Sequence, residues 1–222
     1  TLKRLSMFVL RAKAKLSDAS DTFALWGLGG SAVPAALPAA PWSQRREGDA
    51  SVVRLYPADG VARALWVAPA AHPAPAGALM AEEFWNWLDV KSAVATLSQP
   101  VFEAFVPQML NYESVGGVNF KKGCYPGQEV VARSQFRGTL KRRAYLVHSD
   151  EPLTVGQELF HSSDAEQPCG TVVQAAAHPD GGFDAIVSMQ TSAALDGSLH
   201  AGSASGPMLT LLPLPYPLLD DI

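Results

Sequence analysis

The chain has 222 residues, a formal charge of −4 and a 48% share of hydrophobic residues. This length suffices for one large domain or two modest ones, and the apolar share argues against a disordered chain. No apolar run approaches the roughly 20 residues that a membrane-spanning helix needs. Cys124 and Cys169 are too few for a disulfide framework, and no Cys/His cluster has zinc spacing. We therefore expect a reducing compartment.

The N-terminal part of the chain combines predicted strands with a predicted helix. Apolar alternation and flanking turn residues predict strands over residues 8–16, 22–27, 52–56 and 64–68. Apolar residues at helical spacing predict a helix over residues 79–88, and a second short helix is expected near Phe102. We therefore predict an α+β portion over residues 1–140.

After Arg143 the sequence changes to short β segments. Strands are predicted over residues 144–148, 158–161, 170–175, 183–189 and 209–212. The segment Pro179-Asp180-Gly181-Gly182 supplies a hairpin turn between two of them. This spacing is typical of a small barrel or sandwich, and we predict a C-terminal β domain over residues 141–217. The five histidines have no ligand spacing, and we interpret them as surface or loop residues: His72, His148, His161, His178 and His200.

Residues 119–145 are strongly basic although the chain as a whole is acidic. Their single acid is Glu129. Their basic residues are Lys121, Lys122, Arg133, Arg137, Lys141, Arg142 and Arg143. Such a stripe favours an anionic partner, and tRNA is one candidate. An ordinary solvated surface is an equal alternative from charge alone.

The same region contains a cysteine in an unusual setting. Cys124 follows two lysines and lies between Gly123 and Gly127, which permit a tight backbone turn. A helix that begins near Gly127 would place the sulfur close to the positive end of the helix dipole, where thiolate is favoured. The alternative is a buried and inert cysteine, the commoner fate of a lone thiol. Cys169, beside a predicted strand, is expected to be structural.

The segment around Cys124 is similar to a family signature. Lys122-Gly123-Cys124-Tyr125-Pro126-Gly127-Gln128-Glu129 resembles the K-G-C-Y-x-G-Q-E signature of the YgfZ family, whose members bind folate and are related to the glycine-cleavage T-protein. The similarity continues at residues 105–108, 111, 116–117, 131–133, 136–138, 141–142 and 212–216. It is weak before residue 80 and strong after residue 102.

The resemblance carries expectations about fold and function. It implies a ferredoxin-like, T-protein-like portion that binds tetrahydrofolate, followed by a small C-terminal β-barrel. It also implies a cytoplasmic accessory factor, more a helper than a catalyst, in the assembly or repair of iron–sulfur proteins and in tRNA modification. Its partners would then be a folate and iron–sulfur client enzymes such as those that thiolate tRNA, with no membrane and no bound metal.

Two positions follow from the family signature and its upstream context. The functionally important cysteine of the family falls on Cys124, and a folate-contacting tryptophan of the family falls on Trp85. An aromatic face suits the rings of folate. The alternative is that Trp85, beside Phe84 and Trp87, is simply part of a core.

Four further side chains have the chemistry that folate requires. Lys122 or Arg133 would suit its carboxylates. Gln108 and Asn111 could read the donors and acceptors of the pterin, because an amide side chain offers both kinds of group. The alternative is that both amides satisfy loop backbone.

The chain departs from the family at its start. Family members begin with a further segment that completes the α+β domain and supplies a second folate-contacting aromatic residue, and nothing in this sequence matches that segment. Either the chain is the later part of a longer protein or the segment has been lost, and we expect an incomplete folate pocket. The catalytic aspartate of the T-protein also belongs to that segment. A folate-dependent aminomethyltransferase is therefore an alternative without a residue to carry it, and a tRNA-binding module is a second alternative.

Overall fold

The computed structural model of the protein describes residues 2–136 and 140–219. These residues form two compact units. The first comprises the chain up to Tyr56 together with Val61–Ala78, and the second comprises Pro57–Gly60 together with the chain from Leu79 onward. The compact units thus divide near residue 78, whereas the predicted domains divide at residue 140.

The first unit is built on a four-stranded antiparallel sheet in the order β1-β4-β3-β2. A short helix, α1 (Leu2–Ser6), precedes it. The strands are β1 (Phe23–Gly29), β2 (Gln44–Glu47), β3 (Ala50–Arg54) and β4 (Arg63–Pro69). Buried and half-buried residues alternate along the central strands, and Val52, Ala64 and Trp66 form part of the apolar core.

Three of the four strands predicted in this unit are confirmed as β1, β3 and β4. The strand predicted over residues 8–16 is wrong, because that segment pairs with no strand and leaves Phe8 and Leu10 exposed. Alternation alone does not make a strand when no neighbour accepts its backbone hydrogen bonds. Strand β2 was missed because all four of its residues are polar or charged and exposed. The ferredoxin-like, T-protein-like character of this part stays a prediction.

The second unit contains a closed antiparallel barrel in the order β10-β5-β8-β7-β6-β9, which β9 closes against β10. Its strands are β5 (Arg142–Ser149), β6 (Glu158–His161), β7 (Asp164–Ala177), β8 (Phe183–Gln190), β9 (Leu199–Ala201) and β10 (Met208–Leu212). The predicted C-terminal β-barrel is therefore confirmed. The interior is filled by apolar side chains such as Leu159, Val172, Val187 and Met189.

Helix α2 (Glu82–Lys91) and helix α3 (Gln128–Phe136) also belong to the second unit. Helix α2 packs against β7 and β8, and a 3-10 turn at Pro107–Leu110 packs against β5 and β8. These neighbours cover the outer face of β8, so its residues from 184 to 189 are all buried. The short helix expected near Phe102 is instead a 3-10 turn at Gln99–Val101. Among the described residues, no helix is long and apolar enough to cross a membrane.

Asp184 on β8 is a carboxylate with 0% exposure. Its Oδ2 accepts a hydrogen bond from Nε1 of Trp87 on α2 at 2.8 Å and lies 3.4 Å from Nζ of Lys91, and its Oδ1 lies 2.8 Å from Nδ1 of His148. Burial acts to raise the pKa of Asp184. The hydrogen bonds from His148 and Trp87, with the charges of Lys91 and His178, outweigh burial and lower the pKa below its ordinary value. The ionised carboxylate therefore ties α2 to the barrel.

The interpretation of all five histidines as surface or loop residues is wrong for one of them, since His148 and His200 stay half-exposed on their strands. His148, His161 and His200 lie on β5, β6 and β9. His161 is buried, with its Nε2 2.6 Å from the carbonyl oxygen of Asp196. A histidine on a strand can enter the core when both ring nitrogens find partners, and sequence spacing does not report those partners.

We expect Asp184 to make stability depend on acid pH. A carboxylate whose pKa is lowered by folding stabilises the protein above its ordinary pKa, and that stabilisation is lost as the pH falls through the folded-state value. Asp184→Asn should therefore lower the free energy of unfolding at pH 7 and reduce its decline below about pH 4, measured by urea unfolding. Asp180→Asn, on an exposed turn, is the matched control. An unchanged acid profile in Asp184→Asn would contradict the assignment.

Candidate functional site

The signature segment forms a turn that leads into α3. The amide of Gln128 donates to the carbonyl oxygen of Tyr125, and the amide of Tyr125 donates to Oε1 of Gln128, both at 3.3 Å. This reciprocal pair resembles a capping box and closes the first turn of the helix. Gly127 makes the bend possible, because its φ of +84° is disfavoured for any residue with a Cβ. The helix start predicted near Gly127 is confirmed.

Cys124 lies on this turn as an exposed free thiol, so the alternative of a buried cysteine is wrong at this position. Its neighbours Gly123 and Glu129 are also exposed. Nζ of Lys122 lies 4.5 Å from the ring centroid of Tyr125, which holds the lysine beside the turn by a cation–π contact. The segment therefore offers a thiol that a partner molecule can reach.

Cys169 contrasts with Cys124, as expected. It lies on β7 with 5% exposure and belongs to the barrel core. Burial raises the pKa of the Cys169 thiol, which keeps it protonated and unreactive. Its structural role is confirmed.

The basic stripe separates into residues with different roles. Arg143 is buried, and its Nη1 donates to Oε1 of Glu113 at 2.7 Å while its Nη2 donates to the carbonyl oxygen of Leu219. Breaking such a buried pair would cost about 3–5 kcal/mol, so Arg143 is structural. Arg137 lies outside the described residues. The lysines at 121, 122 and 141 and Arg133 are exposed, and Arg142 is half-buried.

A cavity of about 740 Å³ lies between the C-terminal half of α3 and the mouth of the barrel. Its cationic side is formed by Arg133, Lys141 and Arg142. Its apolar residues are Val106, Met109 and Leu140, and its polar ones are Ser134, Gln190, Thr191 and Ser192. The volume is within the range of small-molecule sites, and the described residues that line it include no acid.

The two adjacent tryptophans of α2 differ in their surroundings. Trp87 is 4% exposed and bonded to Asp184, so it belongs to the core. Trp85 is half-buried. The position predicted to contact folate is therefore the more accessible of the two, and its role as a folate contact stays a prediction.

The side-chain amides of Gln108 and Asn111 form hydrogen bonds with the protein backbone. Nε2 of Gln108 donates to the carbonyl oxygen of Val131 on α3 at 2.7 Å. Nδ2 of Asn111 donates to the carbonyl oxygen of Ala144 at 2.8 Å, and its Oδ1 accepts from the Ala144 amide at 3.2 Å. Strand β10 pairs with β5 only as far as Leu146, so the Asn111 amide supplies the partner that Ala144 lacks. Asn also tolerates the left-handed φ of +58° found here.

The residues predicted to bind folate do not gather around this cavity. Arg133 lines it, whereas Trp85, Gln108, Asn111 and Lys122 do not. One atom of these predicted residues can still accept a hydrogen bond, because Oε1 of Gln108 is buried without a hydrogen-bond partner among the described residues. Within residues 2–136 and 140–219, no group of three or more His, Cys, Asp or Glu side chains could hold a metal ion.

Comparison with known proteins gives the context of this site. No family model matches the chain. It is 33% identical over 140 residues to the tRNA-modifying protein YgfZ of Edwardsiella ictaluri, covering 60% of this chain and 41% of that protein. It is 36% identical over 142 residues to the protein of the same name from Photobacterium profundum, covering 61% and 42%. The resemblance to the YgfZ family is confirmed.

The YgfZ relatives are much longer than the matched region. The match to the protein from Yersinia enterocolitica, 31% identical over 140 residues, again covers 62% of this chain and 42% of the relative. The chain thus spans about two fifths of the length of the YgfZ proteins that it matches.

We expect Asn111 to be essential for the stability of the second unit. Asn111→Ala should lower the free energy of unfolding by about 2–4 kcal/mol, because it leaves both backbone groups of Ala144 without partners and places alanine at a left-handed φ. Urea unfolding followed by circular dichroism measures the change. Asn119→Ala, which removes an exposed side-chain bond to the Lys121 amide, is the matched control and should cost under about 1 kcal/mol. Equal losses in the two variants would contradict the structural role.

Proposed function

We propose that this chain acts in tRNA modification as an accessory factor whose working group is the exposed thiol of Cys124. The observation that carries the proposal is the exposure of that sulfur on a glycine-framed turn within the YgfZ signature. The relatives are named as tRNA-modifying proteins, which supports the choice of pathway. Both cysteines are free, as a protein of the reducing cytoplasm would have them.

The clients we propose are iron–sulfur enzymes, among them those that thiolate tRNA. An exposed thiol can approach a cofactor that a second protein holds, whereas a buried thiol cannot. One cysteine supplies one of the four thiolates that usually ligate a cluster, so the remaining ligands would belong to the client. Cys124 would therefore meet a cluster in transit or under repair on another protein.

We further propose that tetrahydrofolate is bound by the full-length protein. The half-buried Trp85 would offer a ring for stacking, Lys122 and Arg133 would attract carboxylates, and the unused acceptor of Gln108 could take a donor. The Asn111 side chain could contact folate only if its two hydrogen bonds with the backbone of Ala144 were broken. Tetrahydrofolate, when bound, would supply a carrier of one-carbon units, and these residues would position the folate.

We expect Cys124→Ser to abolish complementation of a strain with a tRNA-thiolation defect, because serine cannot act as a soft sulfur ligand. The readout is the thiolated-nucleoside content of tRNA by mass spectrometry. Cys169→Ala, which changes the thiol in the barrel core, is the control and should retain complementation once its folding is verified. Full complementation by Cys124→Ser would remove the thiol from the function.

We expect tetrahydrofolate to quench tryptophan fluorescence through Trp85. Trp85→Phe should remove most of the quenching, while Trp26→Phe, which alters a partly exposed tryptophan of β1 with 37% exposure, should leave the titration unchanged. The titration is made on this chain and on a full-length relative. If neither protein shows saturable quenching, or if Trp85→Phe leaves it intact, the folate proposal fails.

A further inference from the structure

Helix α3 has one buried face and one exposed face. Val131 and Gln135 are buried against the rest of the second unit. Arg133 and Phe136 are exposed and lie three residues apart, so they are neighbours on the helix surface. The exposed face thus carries a cation next to a large aromatic ring. The cation is one of three that line the cavity, and the ring is one of an aromatic pair.

Arg133 belongs to the cationic side of the cavity, with Lys141 and Arg142. None of the three makes an ion pair or a side-chain hydrogen bond with the residues that the structure describes. Three neighbouring cations without counter-charges repel one another, and a bound anion would relieve that repulsion. The hydroxyls of Thr191 and Ser192 on the same lining are further hydrogen-bond donors of the kind that contact phosphate.

Phe136 belongs to an exposed aromatic pair with Phe120. The two rings meet edge to face, with centroids 5.5 Å apart, and they keep 55% and 39% of their surface exposed. Phe120 lies directly before Lys121 and Lys122, on the segment that leads to the signature turn. Two aromatic rings with open surface therefore stand among lysines and arginines.

We propose that this exposed face of α3 binds single-stranded RNA, with phosphates at the cationic cavity and bases stacked on the Phe120–Phe136 pair. The inference rests on the proposed function in tRNA modification and names the RNA-contacting surface. Cations beside accessible aromatic rings are the combination that proteins use for single-stranded nucleic acids. An acidic protein partner would bind the cations but has no bases to stack on the aromatic rings. RNA can engage both, so the surface favours RNA.

The position of the signature turn adds a consequence for the chemistry. Cys124 is four residues after Phe120 and four residues before the first residue of α3. A strand stacked on the aromatic pair would therefore contact a residue only four positions from the exposed thiol along the chain. Glu129, one turn before Arg133, is the acid in this region, and it would weaken phosphate binding at its own end of the helix.

We expect binding of a fluorescent ten-nucleotide single-stranded RNA to depend on salt and on the cavity cations. The measurement is fluorescence anisotropy of the 222-residue chain between about 50 and 200 mM salt. Lys141→Gln/Arg142→Gln should reduce the slope of log K against log salt by about 1.4, since each phosphate contact to a single strand contributes about 0.7. Lys13→Gln/Lys15→Gln changes the same charge on an exposed segment of the first unit and should leave the slope unchanged.

The aromatic pair is tested separately because stacking does not depend strongly on salt. Phe120→Ala/Phe136→Ala should weaken RNA binding roughly 5- to 100-fold at constant salt slope, which corresponds to the usual loss of base stacking. Leu195→Ala, at an exposed apolar residue of the barrel with 83% exposure, is the control and should not alter affinity. Circular dichroism confirms that each variant remains folded.

Three outcomes would overturn the inference. The first is no RNA binding at 50 mM salt, and the second is binding that neither double variant weakens. The third is equally tight binding of poly-L-glutamate with the same sensitivity to Lys141→Gln/Arg142→Gln, which would assign the surface to an acidic protein. If one of these is found while Cys124→Ser still abolishes complementation, the proposed function stands and the RNA surface is wrong.

Discussion

The arrangement of the candidate site depends on the hydrogen bonds made by the turn at Pro107–Leu110 and the residue after it. Asn111 completes the edge of β5 at Ala144, the Ser188 hydroxyl donates to the carbonyl oxygen of Met109 at 2.9 Å, and Gln108 reaches Val131 on α3. The bonds of Gln108 and Asn111 are buried, so leaving any of their groups unpaired would be costly. The turn therefore links α3 to strands β5 and β8 of the barrel.

Burial and pairing also distinguish the cations that stabilise the fold from those that are available to a ligand. Arg143 is neutralised by Glu113 inside the unit, whereas Arg133, Lys141 and Arg142 keep their charges on an open cavity. A buried cation must be paired, but a cation at the surface can remain unpaired at little cost. Three of the free positive charges of the basic stripe are consequently gathered on the lining of one cavity beside α3.

Several elements were predictable because their signals are local. The barrel strands follow from apolar alternation and a strong turn, and the start of α3 follows from Pro-Gly before a helical run. The predicted strand at residues 8–16 is wrong and β2 was missed, since both depend on whether a neighbouring strand is available. Strand β9 has three residues, too few for a pattern to register.

The resemblance of residues 122–129 to the YgfZ signature, the helix that follows, most strands of the β domain and the excess of basic residues near Cys124 could all be predicted from the sequence. These properties are encoded in consecutive residues, so turn chemistry and periodicity reveal them. The exposure of Cys124 and the bonding of Gln108 and Asn111 to backbone depend on the tertiary structure. The tertiary structure also decides which cations stay unpaired. Burial and pairing are set by segments distant in the chain, and their energies depend on partners that a linear pattern does not contain.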